Sequence, residues 1–122
     1  MSQDLAGLKA AVLQALEDLK AVDVTELDVS KLTSMTSVMV VATGTSNRHV
    51  RALAQAARDA AKAAGYPVLG VEGEHDAEWV LVDLVDLVLH VMLPQARALY
   101  RLEDLWSAVP RRAQTEQAGD GA

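Results

Sequence analysis

The stretch Val71 to Met92, VEGEHDAEWVLVDLVDLVLHVM, limits the folds open to this chain more than any other. Two apolar runs rich in Val and Leu, Trp79 to Leu84 and Leu87 to Met92, are parted by a turn-like break over Asp83 to Asp86, which predicts two strands in a hairpin. Successive side chains of a strand point to opposite faces. Trp79, Leu81 and Asp83 therefore share one face and Val80, Val82 and Leu84 the other. In the second run Asp86, Val88, His90 and Met92 alternate with Leu87, Leu89 and Val91. Both faces are largely apolar, so each must be covered by helices of the same chain or by another molecule.

The rest of the chain offers unequal cover. Gln3 to Lys20 spaces Leu5, Leu8, Val12, Leu16 and Leu19 as one face of a helix, with Ser2 expected to cap it, Asp4 in its first turn and Lys20 in its last. Val24 to Val29 reads as a short edge strand and Val38 to Ala42, apolar on both sides, as a central one. A second helix follows Thr43 to Asn47, with Val50, Leu53, Ala54, Ala57, Ala61 and Ala64 on its apolar side and Gly65 closing it. Pro67 to Glu72 is a further strand, and the strand, helix, strand order predicts a right-handed parallel crossover. Pro94 ends the hairpin, and Gln95 to Trp106 reads as one or two short helical turns. Residues 1–106 form one domain of α/β (α+β) type: a mixed sheet of about five strands, two main helices and a short C-terminal helix. The tail, 107–122, lacks periodicity and is expected to be disordered. Two long helices cover one sheet face and the short helix part of the other, which leaves a partly bare apolar face containing Trp79.

Charge narrows the partners. Between Ala63 and Ala96 there is no Lys or Arg, against six carboxylates: Glu72, Glu74, Asp76, Glu78, Asp83 and Asp86. The whole chain carries a net charge of −6 with a pI near 4.9, which argues against broad binding of DNA or RNA, since that affinity comes from Lys and Arg. With no cysteine, disulfides, thiolate metal sites and Cys nucleophiles are excluded. No apolar run approaches the roughly 20 residues of a membrane helix, and the N-terminus lacks the order of a signal peptide. A cytoplasmic protein without a membrane partner is expected.

Several segments invite a chemical reading, and each has a plainer one. The Thr43-Gly44-Thr45-Ser46-Asn47 turn could bind phosphate at a helix N-terminus, but Thr45 or Ser46 capping the helix explains the same residues, and neither a dinucleotide fingerprint nor a P-loop is present. A glycine-serine turn followed by strand carboxylates is also similar to metal-dependent nucleotidyltransferases. Asp83 and Asp86, however, lie three apart around the hairpin bend, a spacing that sends them in different directions. His49, His75 and His90 do not combine into a metal site, and His90 reads as a hydrogen-bonded sheet residue, not a general base. Arg48, Arg51, Arg58 and Lys62 line one exposed edge of the second helix, either as a solvated stripe or as phosphate contacts beside a docked partner. Trp79, rimmed by carboxylates on a face short of cover, has the character of an interface anchor.

Leu27-Asp28-Val29, the block ATGTSNRHV from Ala42 to Val50, Val71-Glu72-Gly73-Glu74 with Glu78-Trp79, Asp83 to Val91, and Arg97 to Trp106 together resemble the ribosomal silencing factor family, RsfS or Iojap. The resemblance implies a nucleotidyltransferase-like fold without the catalytic Asp pair, and a non-enzymatic translation regulator with no cofactor. It implies binding to the large ribosomal subunit through ribosomal protein L-fourteen, which blocks joining of the small subunit when nutrients are scarce. The implied partner surface is Trp79 and Leu84, extended to Met92, Arg97 and Tyr100. Charge, not the resemblance, adds that the stripe of Arg48, Arg51, Arg58 and Lys62 could face adjacent ribosomal RNA from the docked position. A homodimer is expected when the protein is free, because the uncovered face would seek cover. Two positions depart from the family: Val85 stands where glycine is usual, and Ser37 where aspartate is common. The alternative is a small nucleotide-dependent transferase using the Thr43 to Asn47 turn.

Overall fold

In the computed structural model, which describes residues 4–100, the chain runs α1 (Leu5–Asp18), β1 (Val22–Asp28), β2 (Val38–Thr43), α2 (Asn47–Ala63), β3 (Gly70–Glu72), β4 (Trp79–Asp83), β5 (Leu87–Met92) and α3 (Pro94–Tyr100). The strands form one sheet in the order β1-β2-β5-β4-β3. β5 is its centre, parallel to β2 and antiparallel to β4, and the two outer pairs are antiparallel. The mixed sheet and the hairpin are as the sequence predicts.

Sheet alternation divides the core in two. On one side Val38, Val40, Ala42, Val80, Val82, Leu84, Leu87, Leu89 and Val91 pack against Leu8, Val12 and Leu16 of α1 and Val50, Leu53, Ala54, Ala57 and Ala61 of α2. On the other a smaller group of Val29, Met39, Val41, Met92 and Ala96 gathers Leu27, Leu32 and Trp79 at its margins. The second face is covered by less of the chain because α3 is seven residues long and contributes Ala96, while the 29–37 connection contributes Val29 and Leu32. Farther along it, Thr33, Met35, Thr36, Met39, Leu69, Asp83, Val85 and Val88 line an apolar cleft of about 330 Å³.

Several boundaries and one connection differ from expectation. Asp4, not Ser2, caps α1, accepting the Gly7 N–H at 3.3 Å; Ser2 lies outside the described residues. Lys20 falls beyond the helix at φ 61°, so it marks the exit and not the last turn. β1 starts two residues earlier than expected and stops at Asp28, whose carboxylate turns back onto the N–H and hydroxyl of Ser30. β3 begins at Gly70, not Pro67, since proline has no N–H for a ladder, although Leu69 still donates to the Asp83 carbonyl at 2.8 Å. β3 does run parallel to β2, but β5 and β4 lie between them, so the crossover spans the sheet instead of joining neighbours. The expected helical turns over residues 101–106 and the tail over 107–122 lie outside the described residues.

Candidate partner-binding face

Trp79 opens β4 on the thinly covered face, half-buried, opposite Met92 of β5. Its indole N–H donates to Nδ1 of His90 at 2.9 Å, with the ring centroids 5.8 Å apart and the planes at 48°. An indole nitrogen only donates, so Nδ1 of His90 is the unprotonated one and Nε2 carries the proton. His90 is 6% exposed, between Val41 and Leu81 in the sheet register, and burial pulls its pKa down from 6.5 to about 4. The imidazole is therefore a neutral acceptor at neutral pH.

The other expected partner residues divide between the faces. Met92 is fully buried directly across from Trp79, in the same apolar group. Leu84 is also fully buried but belongs to the helix-covered core, so the structure does not bring it to Trp79: it continues the Val80, Val82 side of the alternation past the end of β4. Arg97 is clamped from within. Its guanidinium donates to the hydroxyls of Thr43 and Thr25, both at 2.9 Å, and to the Asp23 carbonyl, which ties α3 to β1 and β2. Tyr100 ends α3.

Beside Trp79 runs the acidic connection from Glu72 to Glu78, and its shape is set by backbone constraints. Gly73 has φ +87°, and a Cβ there would collide with the carbonyl oxygen of Trp79, so the loop lies directly against the start of β4. From α2, Asn47 donates to the carbonyls of Asp76 and Ala77 at 3.0 and 3.3 Å, and Arg51 to those of Glu74 and His75, both at 3.1 Å. These bonds take up backbone oxygens and leave the carboxylates to solvent; among the described residues none of Glu72, Glu74, Asp76 and Glu78 is in an ion pair. The basic stripe is consequently not uniform. Arg51 clasps the loop, Arg58 meets Asp59 at 3.2 Å, and Arg48 and Lys62 are exposed.

The Thr43 to Asn47 turn, the alternative site, is bonded internally. Ser46 caps α2 by accepting the His49 N–H at 3.1 Å, while the Thr45 N–H donates to His49 Nδ1 at 2.9 Å. His49 Nε2 then donates to the Leu19 carbonyl at 2.8 Å and joins the turn to the end of α1. Gly44 is needed for close approach, since a Cβ would sit 2.7 Å from Cγ2 and 2.8 Å from the N of Val50. The N–H groups of Gly44, Thr45 and His49 thus have partners inside the fold, Gly44 donating to the Met92 carbonyl at 3.0 Å. At the hairpin, Asp83 accepts the Val85 N–H at 3.0 Å. Among the described residues no group of three or more His, Cys, Asp or Glu could hold a metal, and no helix is long and apolar enough to cross a membrane.

Sequence reasoning did not find the Trp79–His90 bond, the Arg97 clamp or the clasp of Asn47 and Arg51. The first had a usable signal, because strand pairing at Trp79 and Met92 makes His90 a diagonal neighbour within reach of an aromatic side chain. The other two join residues between 23 and 74 positions apart, which no local pattern predicts.

A family model described as "Ribosomal silencing factor during starvation" matches residues 2–121. A ribosomal silencing factor RsfS from Chromobacterium violaceum is 48% identical over 103 residues, covering 84% of each chain. Another, from Haemophilus influenzae, is 38% identical over 96 residues, covering 79% of this chain and 94% of the other. A crystal structure of a Chromobacterium violaceum protein superposes with a TM-score of 0.84 at 42% identity, over 98% of this chain and 95% of that one. The fold, the blocks that shape the Trp79 face and the match over nearly the whole length agree, and the chain belongs to the RsfS family of ribosomal silencing factors.

Proposed function

We propose that this protein binds the large ribosomal subunit through ribosomal protein L-fourteen and, by occupying that position, keeps the small subunit from joining, lowering translation in the cytoplasm when nutrients are scarce. The observation that carries this reading is Trp79, half-buried on a thinly covered apolar face and bordered by carboxylates that have no ion-pair partner among the described residues. Large aromatics ringed by polar groups are the common anchors of interfaces. A ribosomal protein is typically basic, so an acidic rim complements it and speeds encounter. In this reading Met92 packs beside Trp79 from the next strand, Arg97 fixes α3 against β1 and β2, Tyr100 at the end of α3 adds to the contact, and Leu84 acts from the core by shaping the hairpin. Arg48 and Lys62 are the members of the basic stripe most available to ribosomal RNA. The protein acts by steric exclusion and not as an enzyme, and free in solution it pairs with a second copy through the same face.

Sedimentation with separated large and small subunits tests this. The expected result is co-migration with the large subunit alone and fewer joined ribosomes, both lost in Trp79→Ala. Protein that stays at the top of the gradient, with joining unaffected, would refute it.

A further inference from the structure

We infer that His90 is a positioning residue for the interface: it holds the indole of Trp79 in the orientation that the ribosomal partner engages. This rests on Trp79 being the anchor. The inference starts from an oddity of the sheet. His90 occupies the middle of the central strand, with Val41 and Leu81 as its register neighbours, a place where an aliphatic side chain would pack without cost to polar groups. A buried imidazole there requires a hydrogen bond, and the one its Nδ1 makes is to the indole N–H of Trp79 at 2.9 Å. Trp79 stands directly across from Met92, so His90 reaches it diagonally on the same face, and the tilted ring contact at 5.8 Å restrains the indole a second time. A tryptophan at the first residue of a strand, half-exposed, would otherwise sample several rotamers. Ordering such a side chain on binding costs about 0.5–1.5 kcal/mol, which the bond to His90 removes in advance. In the described chain the sheet thus presents its anchor already oriented.

The test combines large-subunit binding with the NMR signal of the Trp79 indole proton, identified among the two indole signals of the chain by its loss in Trp79→Phe. His90→Leu should bind roughly three- to tenfold more weakly, the range set by that ordering cost, and its Trp79 indole proton should move upfield and exchange faster with water. His90→Asn, whose Oδ1 lies near the position of Nδ1, should restore most of the affinity and the protected signal. A role in packing alone predicts no such rescue. If His90→Leu fails to fold, His90→Phe, which keeps a ring but has no acceptor, gives the same two readings. Parent-like binding by the leucine or phenylalanine variant, while Trp79→Ala has lost binding, would overturn the inference and leave the anchor standing. Parent-like binding by Trp79→Ala would instead refute the anchor itself, and the inference with it.

Discussion

Val85 holds φ at +74° in the turn between β4 and β5, a left-handed conformation in which the Cβ of an L-residue crowds the backbone. β-branching makes this worse, and the turn persists because its bonds over-determine it: Val85 N–H to the Asp83 carboxylate, Leu84 N–H to the Leu87 carbonyl and Asp86 N–H to the Leu84 carbonyl. Here the expected departure from glycine has a physical content. Val85→Gly should raise stability by about 1 kcal/mol, the relief of strain exceeding the added freedom of glycine in the unfolded chain, and the urea midpoint should rise with an unchanged slope. His90 makes a second prediction. Its folded pKa of about 4 lies below the unfolded value of 6.5, so on acidification the unfolded chain takes up the proton first. The contribution is complete above about pH 6.5, is lost as pH falls toward 4, and is flat below, a total of about 3 kcal/mol. Asp28, held below its ordinary value of 3.8 by its bonds to Ser30, adds its own loss only at still lower pH, beneath this window. The difference in urea stability between the parent and His90→Asn, followed from pH 7.5 to 4, isolates the histidine.

At the scale of elements, the acidic connection between β3 and β4 keeps its course because α2 holds it. Arg51 spans two carbonyls with one guanidinium and Asn47 two more, each such bond contributing about 0.5–1.5 kcal/mol. Arg51→Ala should therefore speed amide exchange over residues 74–78 by about tenfold while α1 and β2 keep their protection, and Arg51→Lys should not restore it, since an ammonium lacks the planar fork. The same contrast explains what could be read from the residues alone. The hairpin, the buried β2 and the amphipathic α2 were legible because apolar spacing in each is local and follows the period of the element. The place of β3 was not. Its three residues leave little pattern, and it reaches the far edge because β4 pairs there through Gly70–Asp83, Val71–Val82 and Glu72–Leu81, a non-local choice. Arg97 shows the same limit: its sequence neighbours say nothing of the hydroxyls of Thr25 and Thr43.

For the whole molecule, the unequal cover of the sheet was legible as a count of helices against faces, and it locates Trp79 correctly on the thinner side. Alternation also separates Leu84 from Trp79, so the two cannot present one continuous contact in this conformation. Charge has a comparable two-sidedness. A net charge of −6 coexists with a basic edge on α2, and of the four cations there Arg51 and Arg58 already have partners within the fold. A test that reverses all four would therefore disturb the acidic connection along with any contact to RNA. Arg48→Glu with Lys62→Glu is the cleaner pair, because both side chains are exposed and neither takes part in an ion pair among the described residues. If they meet ribosomal phosphates, the double variant should bind the large subunit more weakly, and the slope of log affinity against log salt should flatten by between one and two, near the loss of two phosphate contacts. If the edge is merely solvated, affinity and slope will both stay at parent values while Trp79→Ala still abolishes binding. That outcome would assign recognition to the Trp79 face alone, with the cations of α2 serving the fold and not the ribosome.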